Sequence, residues 1–316
     1  MTENRSVDLL LELEQVVEVN LNRHLATAKE WFPHEYVPWS QGRDFDGVLN
    51  GVAWDPSQSK LSPVARTSLI VNLLTEDNLP SYHHEIAALF GRDGAWGTWV
   101  HRWTAEEGRH GTAIRDYLLT TRAVDPVELE RARMTHMTSG FVSNHTAQAL
   151  HSIAYVSFQE LATRVAHRNT GRVSGDPICD QLLARVAADE NLHMLFYRNL
   201  LGAAFDLAPD ATMRAVCDVV KEFQMPGHGI ENFSRKSVQI ATAGIYDLRI
   251  HRDEVLAPVL RQLGVFERSD FSGEGEKARL ELAEFLAALE VAASRFEARR
   301  EALRERAERR SADDVG

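Results

Sequence analysis

The chain has 316 residues, enough for one large domain or two small ones, and a formal net charge of −11. That acidic balance excludes general nucleic-acid binding, and any acidic partner would need a local basic patch. Apolar content of 44% is ordinary for a globular protein, and Cys179 and Cys217 make neither a disulfide framework nor a CxxC motif, so both read as reduced thiols of a cytoplasmic protein.

The first segment, MTENRSVDLLLELEQ, mixes acids with leucines and is neither a signal peptide nor a membrane span. No stretch reaches the ~18 apolar residues that a span needs. Residues 7–29 read as an amphipathic helix with Leu10, Leu13, Val17 and Leu21 near one face. Residues 31–60 are rich in Pro, Asp, Gly and aromatics and read as a long irregular segment that packs over helices or covers a site. Ser62-Pro63 opens a helix to about Phe90, with Pro80 inside it as a kink that is tolerated or re-aims Glu76. Gly91 and Gly94 mark a turn before a helix over 95–121. Asp125-Pro126 opens another, Asn144 caps one running to Arg168, a turn follows at Gly171–Gly175, and Asp176-Pro177 opens the next. Shorter helices are expected over 209–224, 230–243 and 252–263, then a charged helical tail over about 275–309. The class is all-α, with one domain over 1–316 whose core spans about 7–265.

One pattern occurs twice. Glu76 is followed 31 positions later by Glu107-Gly108-Arg109-His110, and Glu160 is followed 30 positions later by Glu190-Asn191-Leu192-His193. Residues three apart share a helix face, so Glu107 with His110, and Glu190 with His193, can each reach one metal ion. The spacing of about 30 suits an antiparallel helix pair at a rise of about 1.5 Å per residue. Four carboxylates balance two divalent cations, and without metal such a buried set could not all stay ionised. This is the ligand grammar of a carboxylate-bridged di-iron or di-manganese centre in a ferritin-like four-helix bundle. A single Glu-x-x-His would be an ordinary solvated helix face.

Several residues flank the proposed centre. Trp96, Trp99 and Trp103 share the face of Glu107, as core packing or as a wall and electron route beside the metals. Asp189 is the first candidate to take the second N–H of a ligand histidine, with Glu106 behind it. Thr163 either turns its hydroxyl to the metals or bonds its own helix backbone. His83, His84, His101, His136, His145, His151 and His167 lack partners at ligand spacing and read as packing or surface histidines.

The segments TEDNLPSYHHEIA (75–87), WTAEEGRHGTAIRDYL (103–118), YVSFQELATR (155–164) and ADENLHMLFYR (188–198) resemble the soluble acyl-ACP desaturases (ACP, acyl carrier protein), of the stearoyl-ACP desaturase type. The resemblance is greatest to actinobacterial, mycobacterial-type members; it extends to HEYVPWS, WDPSQSKLS, HRNTG and YDLRIHRDEV and covers about residues 7–270. It implies two Fe ions, with Mn or Zn able to take their place in crystals. Glu107 and Glu190 would be shared between the metals, Glu76 and Glu160 would be terminal carboxylates, and His110 and His193 terminal imidazoles. Thr163 matches a hydroxyl beside the oxygen-binding position, and Asp189 an outer partner of a ligand histidine. The segment between 120 and 150 is shorter than in many members, and there it often borders the acyl tunnel, so acyl length and double-bond position do not follow from the resemblance.

The expected reaction is O₂-dependent removal of two hydrogens from adjacent methylenes of an ACP-bound fatty acyl chain. Two of the four electrons that O₂ takes must come from outside, and the chain has no flavin motif and no Fe–S cysteines. The resemblance therefore implies a ferredoxin with its reductase, and a homodimer by analogy. Arg235, Lys236, Arg249 and Arg252, or Arg164, Arg168 and Arg172, are candidate docking clusters for the acidic carrier. The alternatives are another di-iron oxidase or oxygenase acting on a carrier-bound substrate, and a ferritin-like iron store, against which the long loop and tail argue.

Overall fold

Caps and prolines set the helix starts. The computed structural model describes residues 3–141, 148–227 and 229–313, so Asn144 and His145 lie outside the described residues. The helices are α1 (Glu3–Thr27), α2 (Pro63–Asp77), α3 (Leu79–Phe90), α4 (Gly94–Thr120), α5 (Pro126–Ser139), α6 (Ala149–Ser174), α7 (Pro177–Leu207), α8 (Pro209–Glu222), α9 (Phe233–Thr242), α10 (Leu248–Ile250), α11 (Ala257–Leu263) and α12 (Gly273–Asp313). A π-helical turn, His251–Leu256, joins α10 to α11. Ser62, Asp125 and Asp176 each accept a hydrogen bond from the first turn of the helix they open, and a proline follows each cap. α4 is capped from outside its own sequence, since the Glu14 carboxylate of α1 accepts the Ala95 N–H at 2.6 Å.

Four helices close a ring. α6 pairs with α7 along its length, α7 touches α4, α4 touches α2, and α2 returns to α6. α1 lies over α4 and α7, and α8 lies against α6 and carries α12 on its outer side. Leu13 and Val17 of α1 are buried with Trp99, Phe196, Leu200 and Val216, so one continuous core spans these layers. Among the described residues no helix is long and apolar enough to cross a membrane, and the only β feature is an isolated bridge between Phe45 and Val52.

The structure differs from the sequence expectation in two places that bear on the centre. The helix expected over 63–90 is two helices, because α2 stops at Asp77 and Asn78 turns the chain into α3. Pro80 therefore sits in the first turn of α3, where its missing N–H breaks no hydrogen bond; it is not a mid-helix kink. Buried Asn78 holds the junction by donating from Nδ2 to the Gly140 carbonyl at 3.2 Å. α6 runs past the expected end, through Gly171, where α7 comes so close that a Cβ on Gly171 would stand 2.9 Å from Asp180 Oδ1. The charged tail is a packed element: Ala278 and Leu282 are buried against α8, and Arg214 and Lys221 pair with Glu281.

The irregular segment after α1 does pack over helices. The Arg122 guanidinium donates to the carbonyls of Arg43, Val52 and Ala53 and lies 4.0 Å above the Phe45 ring. This pins the loop to the end of α4 by charge-assisted hydrogen bonds to its backbone carbonyls.

Candidate metal centre

The six residues of the doubled pattern converge inside the four-helix ring. Glu76 comes from the last turn of α2, Glu107 and His110 from α4, Glu160 from α6, and Glu190 and His193 from α7. All are buried. They form two overlapping groups, Glu76–Glu107–His110–Glu190 and Glu107–Glu160–Glu190–His193, within each of which the possible ligand atoms lie within 4.8 Å of one another. His110 Nδ1 is 3.4 Å from Glu107 Oε2, 3.3 Å from Glu190 Oε1 and 3.8 Å from Glu76 Oε2. His193 Nδ1 is 2.8 Å from Glu107 Oε1, 3.6 Å from Glu160 Oε2 and 3.8 Å from Glu190 Oε2. Glu107 and Glu190 thus offer one oxygen to each group, while Glu76 and Glu160 each serve one.

The inward atoms have nothing else to bind. Glu107 Oε1, His110 Nδ1, Glu160 Oε2, Glu190 Oε1 and His193 Nδ1 are buried with no hydrogen-bond partner. Buried polar atoms are nearly always satisfied, so a cluster of such atoms aimed at a common point is a donor set suited to cations. The protonation equilibria agree. Burial, then the charge of Glu107, hold the Glu160 carboxyl well above its ordinary value, and burial with Glu190 raises Glu107. Burial opposes the charged form of His110 and His193, but the surrounding carboxylates outweigh it and raise both.

Each histidine is fixed from behind. His193 Nε2–H donates to Glu106 Oε2 at 2.9 Å, and the same oxygen accepts from His24 Nε2 at 2.9 Å. A carboxylate only accepts, so both ring nitrogens carry the hydrogen, and Nδ1 of His193 is left for the interior. His110 Nε2 faces Asp189 Oδ2 at 3.4 Å. Asp189 also accepts from Trp31 Nε1 at 2.7 Å and from Arg109 and Arg185. Burial works against ionised Asp189, but the His110 hydrogen bond and charge outweigh it and pull the carboxyl down to about 2. Glu106, held by His193, His24 and Arg102, lies lower still despite its burial.

Both acids named from the sequence therefore stand behind a histidine, one each, instead of competing for one. Three residues escaped notice. His167 is not a packing histidine: its Nε2 lies 2.9 Å from Glu76 Oε1, and Asn72 Nδ2 reaches its Nδ1 at 3.2 Å. It stands seven positions after Glu160, two turns along the same face of α6, a signal that could have found it. His24 continues the buried face of Leu10, Leu13, Val17 and Leu21 by one more step of three. Trp31 sits in irregular chain, where no periodicity points to it. The other histidines behave as expected: His84 and His101 are exposed, His83 meets the Thr104 hydroxyl at 2.7 Å, and His136 is buried.

The tryptophans wall the centre. Trp103 Nε1 donates to Glu160 Oε1 at 3.1 Å, and Trp99 stacks on Phe196 at 3.6 Å with its edge to His24 and His193. Trp96 is further out, donating to the Leu10 carbonyl at 3.0 Å. Thr163 lines the cavity beside the carboxylates, but its hydroxyl donates to its own helix, to the carbonyls of Gln159 and Glu160 at 3.1 and 3.0 Å. That cavity, of about 80 Å³, is partly open to solvent and lies between α3, α4 and α6. Its inner wall carries Glu76, Glu107, Glu160 and Glu190; its other walls are mainly apolar, including Leu79, Ile86, Leu89, Trp103, Phe141 and Val156.

Two members of the first basic cluster are paired. Arg249 pairs with Glu290 and Glu297 of α12, and Arg252 pairs with Glu290. In the second, Arg168 pairs with Asp180.

Comparison with known proteins follows the same line. The model of the fatty acid desaturase family matches residues 5–313. The chain is 55% identical over 298 residues to the protein named as acyl-ACP desaturase DesA1 in Mycobacterium tuberculosis, covering 92% of this chain and 88% of that one. It is 30% identical over 297 residues to the chloroplastic stearoyl-ACP 9-desaturase of Simmondsia chinensis, covering 87% and 73%. The X-ray structure of the protein named as acyl-ACP desaturase DesA2 from Mycobacterium tuberculosis superposes with a TM-score of 0.66 at 34% identity, covering 81% of this chain and 99% of that one.

Proposed function

The chain belongs to the fatty acid desaturase family, and from that premise we propose that it introduces a double bond into a fatty acyl chain carried on acyl carrier protein. The carrying observation is the cavity: a mainly apolar space with the four convergent carboxylates along one wall. An alkyl chain fits apolar walls, and its unactivated C–H bonds have no use for a side-chain base.

Two Fe ions fit the donor set. Glu76, His110 and one oxygen each of Glu107 and Glu190 would hold one, and Glu160, His193 and the other oxygens would hold its neighbour. Oxygen-rich ligation with one imidazole per metal suits iron that changes oxidation state. When bound, such a pair supplies O₂-derived oxidising power for removing two hydrogens from adjacent carbons. The protein's own residues do the rest. Asp189 and Glu106 fix the two imidazoles, His167 and Trp103 hold the outer oxygens of Glu76 and Glu160, and Trp99 with Phe196 excludes water behind the centre. Leu79, Ile86 and Leu89 on α3 face Val156 on α6 across the acyl path. Thr163 borders the same space, and its hydroxyl would have to leave its backbone partners to serve an oxygen ligand.

Acyl carrier protein presents the substrate, and a ferredoxin with its reductase supplies two electrons. The protein works in the cytoplasm as a homodimer on this reading. The test is anaerobic chemical reduction of the iron-loaded protein, then O₂, with acyl-ACP substrates of varied length. Product lighter by two hydrogens supports desaturation, product gaining an oxygen atom points to an oxygenase, and no product at full iron occupancy rejects both.

A further inference from the structure

Glu76 occupies a weak place on its helix. It stands in the last turn of α2, one residue before the end at Asp77, and the chain breaks at Asn78 into α3. Last turns fray, because their carbonyls have no partner within the helix. Asp77 makes the place weaker still. A carboxylate at a helix C-terminus meets the negative end of the helix dipole, and this one directly follows another acid. Yet Glu76 has to keep one oxygen towards His110 and the other on His167.

The turn is fixed from outside α2, by α5. Arg133 grips Asp77 with two donors: Nε to Oδ2, and Nη2 to Oδ1 at 3.3 Å. Its third nitrogen, Nη1, donates to Glu130 Oε2 at 2.6 Å, one turn back on α5. The side chains of Arg133 and Asp77 are 13% and 12% exposed, so this fork is less screened than a surface pair. The other side of Asp77 is closed by α4. A Cβ on Gly111 would stand 3.2 Å from Asp77 Oδ1 and 3.5 Å from Glu76 Cβ, so a side chain there would press on this turn. Gly111 directly follows His110, which shares with Glu76 one group of candidate ligands. The Gly140 carbonyl, at the end of α5, accepts from Asn78. α5 therefore holds two consecutive residues of the junction, Asp77 and Asn78.

We infer that Arg133 is a positioning residue for the candidate metal centre. By clamping Asp77 between α5 and Gly111 of α4, it sets the turn that aims Glu76. It thereby tightens the cation held by Glu76 and His110, and not that cation's neighbour. This rests on the two-cation reading of the centre. A ligand on a drifting helix end has to be ordered when the cation arrives, whereas a clamped one is ordered on folding. The hydrogen bonds of Arg133 go to Asp77 and Glu130 and not to a candidate ligand, so it acts through Asp77 alone.

The test titrates Fe(II) anaerobically into apo wild type, Arg133→Met, Asp77→Asn and the double variant, read by calorimetry. Wild type should take up two cations. In each single variant one cation should bind about tenfold more weakly, as for loss of an outer partner, and the other as in wild type. The weakened cation should be the one that Glu76→Gln loses. The double variant should be no weaker than the worse single one, since both changes remove the same contact. Arg133→Lys, which keeps the charge but not the fork, should fall between. A clamp that served only the fold would lower the melting temperature and leave both affinities unchanged, and that outcome overturns the inference. So does equal weakening of both cations, weakening of the one that Glu76→Gln spares, or additive losses in the double variant. Asp77→Asn, which keeps the shape of the residue, decides the matter where Arg133→Met does not fold. A wild type that binds no cation fails the metal reading itself, and the inference with it.

Discussion

His167 Nε2 stands 2.9 Å from Glu76 Oε1, and both side chains are buried. The contact leaves Oε2 of Glu76 turned to His110 and keeps the other oxygen engaged. Removing such an outer partner typically weakens metal affinity by about 10–100-fold. Metal titration of apo protein should show one of two cations bound that much more weakly in His167→Ala, with His167→Gln, which keeps a donor, close to wild type. Equal affinities in wild type and His167→Ala would rule the role out.

Metal loading should release protons. Without a cation, Glu160 and Glu107 titrate above their ordinary range and His110 and His193 are held protonated. A divalent ion needs all four deprotonated, so binding expels protons and tightens as pH rises. Calorimetry in buffers of different ionisation enthalpy measures the number. Chelation should lower the melting temperature by returning like charges to a buried site.

The cavity wall on α3 should govern which acyl chains fit. Leu89 lies about 15 Å along α3 from Leu79, at a rise of about 1.5 Å per residue, and both line the space. Leu89→Phe should reduce turnover of longer acyl chains relative to shorter ones, read as product distribution from an equimolar mixture. An unchanged distribution would remove Leu89 from the acyl path.

Stability should fall through a mildly acid window set by His251. Burial pulls this imidazole from 6.5 down to about 4, and the Tyr246 hydroxyl donates to its Nδ1 at 2.8 Å. Between those values the unfolded chain binds a proton that the folded one refuses. The contribution is therefore complete above pH 6.5 and is lost as pH falls towards 4, amounting to about 3 kcal/mol. Urea midpoints across pH 7 to 4 should follow that slope, and His251→Phe should flatten it.

Charge reversal at Arg249 should act on the fold. Its guanidinium meets Glu290 and Glu297 and donates to Ser294, all on α12. Arg249→Glu should loosen the distal half of α12, seen as faster limited proteolysis near Arg295, with acyl-ACP affinity unaltered. Lower acyl-ACP affinity with proteolysis unchanged would restore Arg249 as a docking residue.

The residues that gather at the centre were legible because helical spacing of three is a short-range rule: Glu107 with His110, and Glu190 with His193, share a face whatever else the chain does. The break at Asn78 was not, because the helix start at Pro63 and the apolar run to Phe90 fit one helix as well as two, and only the buried Asn78–Gly140 contact decides. His24 and His167 carried a periodic signal, yet a histidine on a buried face gives no hint of its partner until Glu106 and Glu76 are brought beside it. Trp31 could not be found at all, since its position depends on a loop held down by groups far away in sequence. The pairing of Arg249 and Arg252 was hidden for a related reason: charge counts along one segment cannot see the acids of a distant helix.

The junction at Asn78 separates two jobs that a single unbroken helix would have joined. Glu76 ends one rigid rod, tied to α6 through His167, and Leu79 begins another that borders the acyl space. Substitutions on the second rod can widen, narrow or re-angle the channel while the first stays in register with its partners. A change of preferred chain length is thereby mechanically insulated from the helix that carries Glu76, and such a scaffold can diversify its products without disturbing that residue's partners.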